Sequence, residues 1–169
     1  MMILPDTYTD VNETGCCAIP NIDDWDEKVV EFDNKKFIRE YTKSVFFVPT
    51  NMDKVMRSLS ETAVTAGAIM PPDQAMILSS DLSPFKAEQL YAVSKEVDGA
   101  DNVLLSGSFA TKVFEGDYKN AKSWHDELAK YVTKLGKQSK EFYFFYTTCP
   151  KCAEHYGKNY TIGLARLSG

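Results

Sequence analysis

Histidine is scarce in this chain: only His125 and His155 occur among 169 residues. A Ser-His-Asp or Cys-His enzyme is therefore poorly provided for. No G-x-S-x-G elbow compensates, because Ser106-Gly107-Ser108 lacks the second glycine, and no glycine-rich phosphate cradle is present. Long apolar runs are missing too. None approaches the roughly 20 residues that cross a bilayer, and Met1–Asp10 lacks the basic start and apolar stretch of a signal peptide. The expectation is a cytoplasmic protein without a membrane partner. Positive charge is also in deficit, with 19 basic against 24 acidic side chains and a net charge of −5. Lysines are scattered among acids, as with Lys134, Lys137 and Lys140 near Glu141, which reads as a solvated face. Nucleic acid would require a basic stripe to displace counterions, so it is not an expected partner.

What is present is an ordinary globular composition, 44% hydrophobic and 25% charged, with 9 Tyr, 10 Phe and 2 Trp. Residues 1–35 read as a polar, turn-rich arm that Trp25 docks, and residues 36–169 as one globular unit. In that unit Phe37–Val48 has strand character, and Pro49 ends it. Thr50 or Asn51 can cap a helix whose stripe is Val55, Met56, Leu59, Ala63 and Ala66, stopped by Gly67. Short strands over 75–79 and 89–96 follow. The order then recurs: a strand over 103–115, a helix striped by Trp124, Leu128, Val132 and Leu135, and strands over 141–148 and 160–167. The expected fold is α+β, a duplicated strand-helix-strand-strand with an antiparallel sheet and two main helices.

That doubled order, with Phe109-Ala110-Thr111-Lys112-Val113-Phe114-Glu115-Gly116-Asp117-Tyr118 followed by a helix carrying Trp124, resembles the GyrI-like family of small-molecule-binding domains. Phe114 and Asp117 stand where the family's His-x-Gly-Pro-Tyr pattern has His and Pro. Gly15-Cys16-Cys17 and the stretch Phe144–Ala153, with its Cys149-Pro150-Lys151-Cys152, look like those of stand-alone bacterial members loosely called hydrolases. The resemblance implies an aromatic-lined cleft that takes flat, often cationic compounds, with an acidic residue in it.

Cys149 and Cys152 have the spacing at which a tight turn presents two thiolates to one tetrahedral ion. His155, Cys16 and Cys17 are further ligand candidates, so zinc is the expected cofactor. Thiol–disulfide exchange and plain buried thiols are the rival readings. Glu115 and Glu141 are the candidate catalytic carboxylates, each also readable as a surface charge at a strand end. A carboxylate desolvated among rings can pair with a cation or act in general acid–base catalysis. Strand parity puts Phe142, Phe144 and Tyr146 on one face and Tyr143 and Phe145 on the other. Tyr91, Trp124, Tyr143, Phe145 and Tyr146 are the candidate ligand-binding rings, with core packing the competing role. Three functions follow: a small-molecule binder, a hydrolase using a cleft carboxylate on the same scaffold, or a protein centred on its cysteines.

Overall fold

A computed structural model of the chain describes residues 2–15, 17–117, 120–147 and 150–168, and it is α+β as expected. Contacts divide it into two compact units. One comprises 1–32, 72–74 and 107–169, and the other comprises 33–71 and 75–106.

In chain order the elements are β1 (Met2–Ile3), α1 (Ile22–Trp25), β2 (Lys28–Val45), β3 (Val48–Pro49), α2 (Met52–Thr65), β4 (Ile77–Ser83) and β5 (Lys86–Ala92). These are followed by β6 (Asn102–Glu115), α3 (Ala121–Lys134), β7 (Phe142–Tyr146), α4 (Pro150–Tyr156) and β8 (Tyr160–Arg166).

The 33–106 unit holds most of β2 together with β3, α2, β4 and β5. Antiparallel ladders join β2 to β5, from Phe37↔Ala92 to Lys43↔Lys86, and β5 to β4. Val55, Leu59 and Ala63 recur every four residues along α2, which aligns them on one stripe. That stripe packs with Ile38, Ala68, Val93 and Val97. Gly67 ends the helix in the left-handed region at φ +64°. Asn51 does not cap it. Its side-chain oxygen instead accepts the Lys43 backbone N–H at 2.8 Å, tying the helix start to β2.

The other unit is centred on β8, which pairs antiparallel with β6 on one side and β7 on the other. Trp124, Leu128 and Val132 of α3 lie against Ala110, Phe114 and Ala165, with the Phe142 and Phe144 rings packed beside them. Trp25 docks the N-terminal segment as the sequence implied. It is fully buried, and its indole N–H donates to the Asp6 carbonyl at 2.9 Å. The Thr111 hydroxyl donates to the Trp25 carbonyl, and Asp26 accepts the Val113 N–H at 3.0 Å.

Three local expectations change. Regular structure is present before residue 35, in β1 and α1, and the first long strand begins at Lys28 and not at Phe37, because Val30 and Phe32 alternate into the core. The first long strand ends at Val45, where Phe46 and Phe47 form a turn. The connection carrying Cys152 is a helix, α4, with Pro150 at its first position, a place that suits a residue without an N–H.

Candidate functional site

Residues directly opposite in an antiparallel ladder share a face. The pairings Phe109↔Arg166, Thr111↔Leu164, Tyr143↔Leu164 and Phe145↔Ile162 therefore set Phe109, Tyr143, Phe145 and Arg166 on the face away from α3. Their rings form a lane. Phe32 lies 4.9 Å from Phe109, Phe109 lies 6.3 Å from Tyr143, and Tyr8 meets Phe145 edge-on at 6.0 Å. The Tyr8 hydroxyl donates to the Thr147 carbonyl at 2.9 Å. These are favourable offset and edge geometries, and the rings at the lane's centre are buried.

A polar rim closes the lane where β6 enters the unit and β8 ends. The Arg166 guanidinium sits 5.7 Å over the Phe109 ring and donates to Glu141 Oε2 at 3.1 Å. On the opposite face of the sheet, the Ser108 hydroxyl donates to Glu31 Oε2 at 2.7 Å. Gly107, at φ +127°, lets the chain pass close beneath Arg166, since a Cβ there would meet Arg166 Nε at 3.4 Å. A carboxylate and a guanidinium thus stand above an aromatic base. Such an arrangement can hold a flat cation between ring and carboxylate, or place a water beside a base and an anion-stabilising group.

The structure does not gather the sequence candidates at one place. Glu141 belongs to this rim and is exposed. Glu115 is exposed at the far end of β6, opposite Tyr160, whereas Glu141 is beside Arg166. Six residues of β8 separate those ends, roughly 20 Å, so the two carboxylates cannot act on one bond. Tyr143 and Phe145 lie in the lane. Trp124 is buried on the opposite face, stacked on Phe114 at 5.7 Å, and Tyr146 is partly exposed at the end of β7 on that same face. Tyr91 is in the 33–106 unit, against the α2 core. Arg166 was missed, because its signal is register, which residue types alone do not display.

Cys16 and Cys149 lie outside the described residues. Cys152 is buried with its sulfur 3.1 Å from the Thr14 hydroxyl. His155 pairs with Glu13 at 3.1 Å, and the Tyr156 hydroxyl donates to the Cys17 carbonyl at 2.9 Å. These contacts strap Glu13, Thr14 and Cys17 onto α4. Among the described residues no group of three or more His, Cys, Asp and Glu could hold a metal ion.

The 33–106 unit has an open hollow of about 680 Å³ between α2 and the segment after β5, lined by Glu61, Thr62, Thr65, Lys95, Glu96 and Asp98. No ring lines it, so it is not the aromatic site the sequence implied.

A family model described as bacterial hydrolase matches residues 7–167. The chain belongs to this bacterial hydrolase family. No curated protein matches it. Two solved structures from Listeria innocua resemble this family member in fold: an uncharacterised conserved protein, TM-score 0.62, and a hydrolase encoded by lin2189, TM-score 0.61. Each is 12% identical, over 83% and 85% of this chain and 91% and 93% of theirs. A third, SAV2435 bound to tetraphenylphosphonium, has a TM-score of 0.50 at 15% identity, over 84% of this chain and 93% of that one. No helix of this family member is long and apolar enough to cross a membrane among the described residues.

Proposed function

We propose that this bacterial hydrolase family member binds a small, flat, cationic molecule at the rim formed by Glu141, Arg166 and Phe109. The observation that carries the reading is the Arg166 guanidinium, a planar cation already lying over the Phe109 ring and against the Glu141 carboxylate. An organic cation with a delocalised charge has the same two requirements. Arg166 gives way at little cost, because a partly exposed ion pair contributes about 0–1 kcal/mol and an exposed cation–ring contact about 0.5–1 kcal/mol. SAV2435, similar in fold, was solved with tetraphenylphosphonium bound; that cation is aromatic but tetrahedral, so as a first probe it tests the cationic and aromatic parts of the reading and not flatness.

The test is titration of the full chain with tetraphenylphosphonium, followed by Tm and by calorimetry. Saturable binding is expected, stronger in Arg166→Ala, which uncovers the ring, and weaker in Glu141→Gln, which removes the charge. If both variants bind as the wild type does, the cation does not sit at this rim.

Membership of a bacterial hydrolase family favours a second reading at the same rim. Glu141 would take a proton from water as the water attacks an electrophilic carbon of the bound molecule, and Arg166 would hold the leaving group's developing negative charge. Turnover lost in Glu141→Gln with ligand binding kept would support it. Zinc is a separate proposal resting on the sequence alone, through Cys149 and Cys152 with Cys16, Cys17 and His155. Metal analysis of protein purified without chelator decides it.

A further inference from the structure

Exposed apolar side chains gather at the tip of the 33–106 unit, where two hairpins end side by side. Val45, Phe46, Phe47 and Val48 form one, and Leu82 and Phe85 belong to the other. Each of the six is more than half exposed, and Phe46 reaches 73%. They form one patch. The Phe46 and Phe85 rings are 5.7 Å apart, the Ser44 N–H donates to the Phe85 carbonyl at 2.9 Å, and the Phe47 N–H donates to the Pro84 carbonyl at 2.8 Å. Contiguous apolar surface of this kind marks a place of contact with something else.

Backbone conformation gives a second, independent observation. Val45 pairs with Val48, so Phe46 and Phe47 are the two central residues of a tight hairpin, at φ +48° and +70°. That turn favours Asn-Gly, because both residues are left-handed and a bulky side chain is disfavoured there. Two phenylalanines occupy the positions least suited to them, with their rings outside the core. A local rule broken without a packing gain points to a use for the rings.

The rim indicates the partner. Lys43 and Lys86 face each other across the β2–β5 ladder, directly behind the tip. Like charges in register are unfavourable, and neither lysine forms an ion pair among the described residues. Lys86 lies 4.1 Å over the Tyr41 ring, itself partly exposed. Passing inward from the turn, the surface changes from Phe and Val to lysine and tyrosine within three to five residues, roughly 10–15 Å. This is the order of a lipid monolayer met from the water side in reverse: acyl chains, then headgroups where Tyr and Lys settle.

We propose that this tip docks the protein on an anionic lipid surface, with Phe46, Phe47 and Phe85 entering the acyl boundary and Lys43 and Lys86 meeting acidic headgroups. Such docking is peripheral and needs no membrane-crossing helix. It is independent of the rim at Arg166 and Glu141.

The experiment is sedimentation of the full chain with vesicles of phosphatidylcholine alone or mixed with phosphatidylglycerol, at low and high salt. Binding to the phosphatidylglycerol vesicles is expected, weakening as salt rises. The informative variant is Phe46→Asn/Phe47→Gly, which supplies the residues the turn prefers. It should raise Tm while lowering vesicle binding by about tenfold or more, because two rings no longer enter lipid. Lys43→Gln/Lys86→Gln should weaken binding without lowering Tm, since like charges no longer face each other. The proposal is overturned by absence of binding to anionic vesicles, by equal binding to neutral ones, or by binding that the Phe46→Asn/Phe47→Gly change leaves intact. A lower Tm in that variant would also overturn it, since the rings would then be supporting the fold. So would a solution dimer that the same change converts to monomer, which would make the tip an interface between copies.

Discussion

Gly163 offers a direct test of how α3 is seated on its sheet. It lies in mid-β8 on the helix-facing side, where a Cβ would come 2.9 Å from a Phe114 ring carbon, 3.0 Å from a Leu128 methyl and 3.3 Å from a Phe144 ring carbon. Carbon atoms rest at about 3.5–4.0 Å, so Gly163→Ala requires Phe114 and Leu128 to retreat by about half an ångström or more. Phe114 is stacked on Trp124, and Leu128 is fully buried in the α3 stripe, so neither has open space behind it. Overpacking of this kind costs about 1–3 kcal/mol, against roughly 0.5–1 kcal/mol regained because alanine suits a strand better than glycine. A net loss near 1–2 kcal/mol corresponds to a Tm lower by about 2–8 °C for a chain of this size. Thermal unfolding followed by tryptophan fluorescence reads it through Trp124. Leu128→Ala supplies the control: it is costly alone, but it clears the 3.0 Å contact, so the double variant should be milder than the sum by about 0.5 kcal/mol or more. A Gly163→Ala protein as stable as wild type, or strict additivity with Leu128→Ala, would refute this packing.

Two further outcomes follow from a buried hydroxyl and a half-buried ammonium. Thr111→Val keeps the shape of a fully buried side chain but leaves the Trp25 carbonyl without its hydroxyl donor, so a loss of about 1–3 kcal/mol is expected in urea unfolding; an unchanged midpoint would mean another donor serves that carbonyl. Burial holds the Lys35 ammonium below its ordinary value of 10.5. Its charge therefore opposes folding at neutral pH, and the penalty fades as pH rises from the lowered folded value towards 10.5. Lys35→Met should raise Tm at pH 7 by an amount that shrinks towards pH 10.5, and an advantage independent of pH would show that the gain is not electrostatic.

The helices were legible because their stripes are long: Val55, Leu59 and Ala63 in α2, and Trp124, Leu128 and Val132 in α3, satisfy the helical period over several turns. The strand-helix-strand-strand order followed from them. The Phe46-Phe47 turn was not legible, because adjacent aromatics next to valines carry strand propensity and the usual turn signals are absent. Nor was α4, since a proline between two cysteines reads equally as a turn or as a first helical residue. The rim at Glu141 and Arg166 depends on strand register. Glu141 was singled out from its place at the head of an aromatic strand, but its partner lies 25 positions away on another strand. The separation of Glu115 from Glu141 has the same cause, because only the pairing along β8 shows that they stand at opposite ends.

The position of β8 between β6 and β7 also sets an order of events during synthesis. The strand that both neighbours need is the last element described to leave the ribosome, whereas every residue of the 33–106 unit has already emerged. Until Arg166 is clear, β6 and β7 each present an open hydrogen-bonding edge, and the Trp124 stripe of α3 has no Ala165 to cover. Nascent chains stalled short of that strand would therefore carry one unit ready to fold and another holding sticky edges, the species most in need of a chaperone.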